Sequence, residues 1–122
     1  MSVDYEQLIA LAKSTKRVGF IDGAACGSAT NASCGDVCNV SLVIQDGEIV
    51  DVKYVVTGCV ISRASAAVLA EAVLGPIGRI EPMDGTVIRD LLGVNVSPLR
   101  ERCLTTALAA VQNAINQYES RT

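Results

Sequence analysis

The sequence predicts an α+β fold: a small antiparallel sheet of about three strands, covered on one face by helices. Three observations carry this. Residues 37–44 and 49–57 alternate apolar and polar side chains on either side of Asp46 and Gly47, an Asp-Gly pair of the kind that closes hairpins. An Ala-rich run of helix formers follows between Gly58 and Gly75. The chain then ends on a long stretch whose apolar positions recur every three or four residues.

In chain order, residues 4–13 set Leu8, Ile9 and Ala12 among good helix formers and predict a short amphipathic helix. "RVGFIDGAACGSATNAS" (17–33) is rich in Gly, Ala, Ser and Asn and has no sustained period. It reads as a loop, mobile over 22–33, and only residues 17–21 leave room for a third strand. In the first clear strand Cys38, Val40, Leu42 and Ile44 share a face, and in the second Val52, Tyr54 and Val56 do so. Gly75 is placed to cap the Ala-rich helix, with Pro76 beyond it to prevent continuation. Residues 86–92 form a short helix inside a stretch of breakers. Ser97 as N-cap and Pro98 at the first helical position open the last helix, in which Leu99, Cys103, Ala107, Val111, Ala114, Ile115 and Tyr118 follow one buried face. With no repeat or linker in view, residues 1–122 are expected to form a single domain.

Composition narrows the function. Ten Lys and Arg against 13 Asp and Glu give a net charge of −3, which excludes a nucleic-acid partner held mainly through phosphates. No apolar run approaches the roughly 20 residues that span a bilayer. The first residues carry acids early and bases late, the reverse of a secretory leader, so a cytoplasmic protein is expected. Five cysteines, an odd number unevenly spaced, suit reduced thiols for metal or sulfur chemistry better than a disulfide framework. Histidine is absent, so a transition-metal site has only thiolate and carboxylate to use.

Cys34, Cys59 and Cys103 each fall where a regular element begins, and a helix start favours a thiolate through its unpaired N–H groups. The plain alternative is that they are small buried hydrophobes. Asp36 lies between Cys34 and Cys38 and has its own plain alternative, a turn or capping role. Cys38 shares the apolar face of Val40 and Leu42, so burial in the sheet is its expected fate. Cys26, in the glycine-rich segment, is either inert or a spare thiol. Arg63, Arg100 and Arg102 flank the second and third of these thiols and are either ordinary surface charges or cations that stabilise thiolates.

"CGDV" (34–37), "GCVISRAS" (58–65) and "RERCLTTAL" (100–108) resemble, in order and spacing, the three ligand motifs of the IscU/SufU/NifU-type iron–sulfur cluster assembly scaffolds. "STKRVG" (14–19) resembles the segment after that family's first helix, and the likeness runs from about residue 5 to residue 118. The resemblance implies a scaffold, not a turnover enzyme, that receives sulfur from a cysteine desulfurase, builds a [2Fe–2S] cluster and passes it to apoproteins. It implies Cys34, Cys59 and Cys103 as ligands of the cluster, or of zinc in its absence. Asp36 is implied as a ligand that promotes release, a carboxylate being a harder and more weakly held partner of iron–sulfur centres than a thiolate. Cys34 is also the implied sulfur acceptor in the alternative, a zinc-dependent sulfurtransferase of the SufU type. The chain mixes marks of both types. "GCVISRAS" is SufU-like, and Arg102 stands where IscU-type members carry histidine, yet the 43 residues between Cys59 and Cys103 leave no room for the SufU-type insertion. Only Pro98 survives of the segment that IscU-type scaffolds present to an Hsp70-type chaperone, so that partner is not implied. Homo-oligomerisation stays open.

Overall fold

A computed structural model describes residues 5–31, 35–93 and 101–120. Helix α1 (Tyr5–Ala12) leads to strands β1 (Ala25–Asn31), β2 (Asp36–Gln45) and β3 (Glu48–Thr57). Then come α2 (Val60–Ala72), the two-residue β4 (Gly75–Pro76), α3 (Gly85–Leu92) and α4 (Glu101–Ser120). The sheet is an antiparallel meander in the order β1-β2-β3-β4. The expected α+β architecture is present, with four strands where about three were expected. Among the described residues no helix is long and apolar enough to cross a membrane.

The hairpin between β2 and β3 follows from its two turn residues. Asp46 and Gly47 have φ of 54° and 77°, the doubly left-handed turn that Asp-Gly accommodates and whose twist matches paired strands. Register pairs Cys38 with Val56, Val40 with Tyr54 and Leu42 with Val52, so these side chains lie on one face. Helix α4 packs on β1 and β2, α2 on β3, and α1 on α2. Leu42, Ile49, Leu69, Ile88 and Leu92 are at most 2% exposed, and each contributes about 1.5–3 kcal/mol by leaving water. Alanines 64, 66 and 70 are buried on α2, and their small volume lets that helix approach closely.

Two expectations need correction. The segment read as an irregular loop over 22–33 is for most of its length β1, paired residue by residue with β2 from Ala25–Leu42 to Asn31–Asp36. Its small residues gave no alternating signal, and they serve a tertiary purpose. At Gly27 any Cβ would overlap the carbonyl oxygen of Ala110 and the backbone nitrogen of Ala114, so β1 lies backbone-to-backbone on α4. Conversely, residues 17–21 contribute only one isolated bridge, Val18 to Tyr54. That strap is held by Gly19 N–H to Tyr54 O (2.9 Å) and Tyr54 N–H to Arg17 O (2.9 Å). The Arg17 guanidinium adds contacts to Glu71 (2.9 Å) and Asp51 (3.2 Å).

The helix ends differ in smaller ways. Val73, not Gly75, is the C-cap of α2, and Gly75 (φ 123°) pairs with Ile49 in β4 instead. Asp84 caps α3 by accepting the Thr86 N–H at 2.9 Å, and Gly93 closes it in the left-handed conformation. Ser97 and Pro98, expected to open the last helix, lie outside the described residues, as do Cys34 and Arg100.

Candidate metal centre

Three of the four side chains expected at the site converge. Asp36 opens β2, Cys59 is the N-cap of α2, and Cys103 lies in the first turn of α4. Their ligand atoms all lie within 4.8 Å of one another. Asp36 and Cys103 are fully buried, and Cys59 is half-buried. The set is one hard oxygen and two soft sulfurs, a donor combination suited to zinc or iron.

Asp36 is held by the start of α2. Its Oδ2 accepts a hydrogen bond from the Ser62 hydroxyl at 2.6 Å, and its Oδ1 accepts the Cys59 N–H at 3.3 Å. A charge-assisted bond of the first kind is among the stronger ones available to a buried carboxylate. The carboxylate also occupies the space of a missing side chain. A Cβ at Gly58 would stand 2.9 Å from Asp36 Cγ and closer still to Oδ1, so glycine is required where β3 hands over to α2.

Cys59 adopts extended backbone angles (φ −75°, ψ 172°) and makes no full capping hydrogen bond with its side chain. Burial pushes its thiol up, but the N–H and hydroxyl of Ser62 and the Cys103 thiol outweigh that, and the net shift is downward despite the Asp36 charge. The Ser62 hydroxyl stands 3.6 Å from the sulfur. Hydrogen bonds from the helix start, more than arginines, thus favour the thiolate. Arg63 and Arg102 are both solvent-exposed, and Arg102 lines a cavity of about 370 Å³ with Asp84, Thr86, Arg89 and Thr105.

The other two described cysteines stand apart. Cys38 has no exposed surface, and burial pushes its thiol up to about 12, as a position in the apolar sheet face requires. Cys26 pairs with Ser41 on β1, out of phase with Asn31 and Asp36, so it faces away from the site. Its N–H donates to Gln117 Oε1 at 2.8 Å. Ser62 is the residue that sequence reasoning passed over. A hydroxyl three residues after a residue at a helix start was the available signal, because that spacing brings side chain and cap together.

Residues 4–122 match the family model of the NifU-like N terminal domain. The iron-sulfur cluster assembly scaffold protein IscU of Thermotoga maritima is 38% identical over 71 residues, a match covering 57% of this chain and 50% of that protein. The chain therefore aligns with only half the length of that relative. The protein of the same name from Streptococcus pyogenes is 26% identical over 117 residues, covering 81% of this chain and 74% of its own. Among solved structures, the N-terminal part of a nitrogen-fixing NifU-like protein from Brucella abortus superposes with a TM-score of 0.76 at 21% identity, over 94% of this chain and 93% of that one. A protein crystallised as a candidate cluster assembly scaffold for the SUF system of Fervidobacterium islandicum gives 0.73 at 25% identity, over 86% and 90%. The sheet, the helices and the convergence of Asp36, Cys59 and Cys103 accord with the match across nearly the whole sequence: the chain belongs to the NifU-like N-terminal domain family.

Proposed function

We propose that this chain is an iron–sulfur cluster assembly scaffold, a carrier whose cargo is held by Cys34, Asp36, Cys59 and Cys103. The observation that supports it most is the meeting of two thiols and a carboxylate from three different elements within 4.8 Å. In this reading the protein works in the cytoplasm, where thiols stay reduced. Persulfide sulfur arrives from a cysteine desulfurase, an electron-donor partner supplies two electrons per sulfur to reduce it to sulfide, iron joins it, and a [2Fe–2S] cluster leaves for apoproteins. Thiolates bind the iron strongly, and Asp36 is the exchangeable position through which the cluster is released. The lowered Cys59 thiol suits a group that must present its thiolate at neutral pH.

A second reading has its own support. The stretch "GCVISRAS" is SufU-like, and the Fervidobacterium protein of similar fold was crystallised as a SUF-system scaffold candidate. There the same ligands hold zinc and Cys34 accepts persulfide sulfur.

Anaerobic protein incubated with desulfurase, cysteine and ferrous iron separates the two. Visible absorption of a [2Fe–2S] centre, lost in Cys34→Ser, Cys59→Ser and Cys103→Ser, is the expected result. Zinc that iron does not displace, with persulfide on Cys34, establishes the sulfurtransferase instead. A cluster that survives all three substitutions refutes the ligand assignment.

A further inference from the structure

We infer that Ser62 is the positioning residue of the site: its hydroxyl anchors Asp36 through Oδ2 and leaves Oδ1 as the atom free to turn to a metal. The inference rests on the proposed function, in which Asp36, Cys59 and Cys103 hold metal.

The geometry distinguishes the two carboxylate oxygens. Oδ2 receives the Ser62 hydroxyl at 2.6 Å, a short bond between two side chains that are each no more than 1% exposed. Among the described residues Oδ1 has the Cys59 N–H at 3.3 Å, near the long end of the useful range. Each carboxylate oxygen has two lone pairs, and the oxygen committed to the weaker hydrogen bond reorients toward a metal at the lower cost. The strong bond stays and fixes the plane of the carboxylate. Gly58 supplies the other wall, because its missing Cβ is the space that the carboxylate fills.

Ser62 also couples Asp36 to the thiol of its own helix. It follows Cys59 by three residues, so both lie on one side of the first turn of α2, with the hydroxyl 3.6 Å from Cys59 Sγ. A hydroxyl has one proton to donate. The 2.6 Å contact directs it to Asp36, and the 3.6 Å contact to Cys59 Sγ receives it only when the hydroxyl turns from the carboxylate, so Ser62 serves one ligand or the other. A buried serine with no role toward Asp36 would donate back to a helix carbonyl, as Ser65 does to Ile61 O at 2.7 Å. Ser62 does not.

Zinc affinity, read by competition with a chromophoric chelator, tests this in a double-mutant cycle of Ser62→Ala and Asp36→Ala. Loss of a partner that orients a ligand costs about 10-fold or more in metal affinity, which is the fall expected for Ser62→Ala. In the Asp36→Ala background the same change is expected to cost less than about twofold, since Ser62 acts through Asp36. Cobalt(II) in place of zinc reports the thiolates directly. Ser62→Ala is expected to keep the sulfur-to-cobalt band intensity of the wild type while its ligand-field bands shift. Ser62→Thr, which keeps the hydroxyl, is expected to hold zinc within about threefold of wild type.

Undiminished zinc affinity in Ser62→Ala overturns the inference, as does a full loss persisting in the Asp36→Ala background. So does Ser62→Thr binding as weakly as Ser62→Ala. If Asp36→Ala weakens zinc and Ser62→Ala does not, only this inference falls. A wild-type protein that takes up no zinc or cobalt removes the proposed ligand site as well.

Discussion

Cys38 and Asp36 sit two residues apart on the same face of β2, yet they occupy opposite kinds of environment. At Asp36 the sheet face ends against the start of α2, where an N–H and a hydroxyl are offered to the carboxylate. At Cys38 it runs under helices and meets Ala29 and Val56 across the ladders, with no exposed surface. The same element therefore carries a polar end and an apolar floor. Two thiols on either side of the boundary diverge accordingly, with Cys38 pushed up to about 12 and Cys59 drawn down. What a cysteine does here is set by where the unpaired donors of a helix start point.

The largest expected effect is kinetic. A thiol raised from 9.0 to about 12 holds roughly 1000-fold less thiolate at neutral pH than an unperturbed one, and Cys38 is also sealed from solvent. Iodoacetamide at pH 7.5, with the labelled positions read by peptide mass spectrometry, is expected to modify Cys59 at least 1000-fold faster than Cys38 in the folded protein, a ratio set by the same thiolate arithmetic. Comparable rates would erase the distinction between the two environments.

Glycines sharpen it at the level of stability. Gly27→Ala forces a methyl into the backbone of α4 and is expected to cost about 1–3 kcal/mol while zinc affinity stays within about twofold. Gly58→Ala pushes on the Asp36 carboxylate and is expected to lower zinc affinity about tenfold, with the smaller loss of metal-free stability. Urea unfolding and chelator competition on the same two proteins check both halves. The opposite ordering would mean that the floor and the site are not separable.

The smallest effect lies away from both regions. Glu71 is held below its usual range by hydrogen bonds from Arg17 and Lys16. Its folded value lies under the unfolded 4.5, so its contribution is present above about 4.5 and is lost as pH falls through the folded value. The Glu71 side chain is 44% exposed, and Glu71→Gln is expected to cost under about 1 kcal/mol at pH 7 and less still at pH 3, with zinc affinity unchanged. A stability difference that widened toward acid would contradict the sign.

Much of this was legible in the residues. The β2–β3 hairpin announced itself through Asp46-Gly47, and α2 and α3 through period and composition, because each is specified locally. The grouping of Asp36, Cys59 and Cys103 came from motifs, not from physics, since nothing in the spacing of 36, 59 and 103 states that they meet. Strand β1 was missed because Ala, Gly, Ser and Asn have no strand pattern, and its conformation is imposed by the backbone of α4 beneath Gly27. Ser62 was missed because one hydroxyl in an Ala-rich helix is unremarkable until the carboxylate it holds is brought to it from 26 residues away.

Asp36, Cys59 and Cys103 belong to three elements, with 22 residues between the first two positions and 43 between the last two. An ion shared among them closes both stretches of chain at once and so acts as a removable staple across β2, α2 and α4. Loading then shifts the folding equilibrium by RT ln(1 + [L]/Kd), and unloading gives that stabilisation back. The melting temperature becomes an occupancy gauge that climbs with the logarithm of free metal. On the proposed function, the emptied protein is the form most exposed to unfolding and proteolysis, so the bond that would set how readily cargo leaves would also set how long the empty vessel lasts.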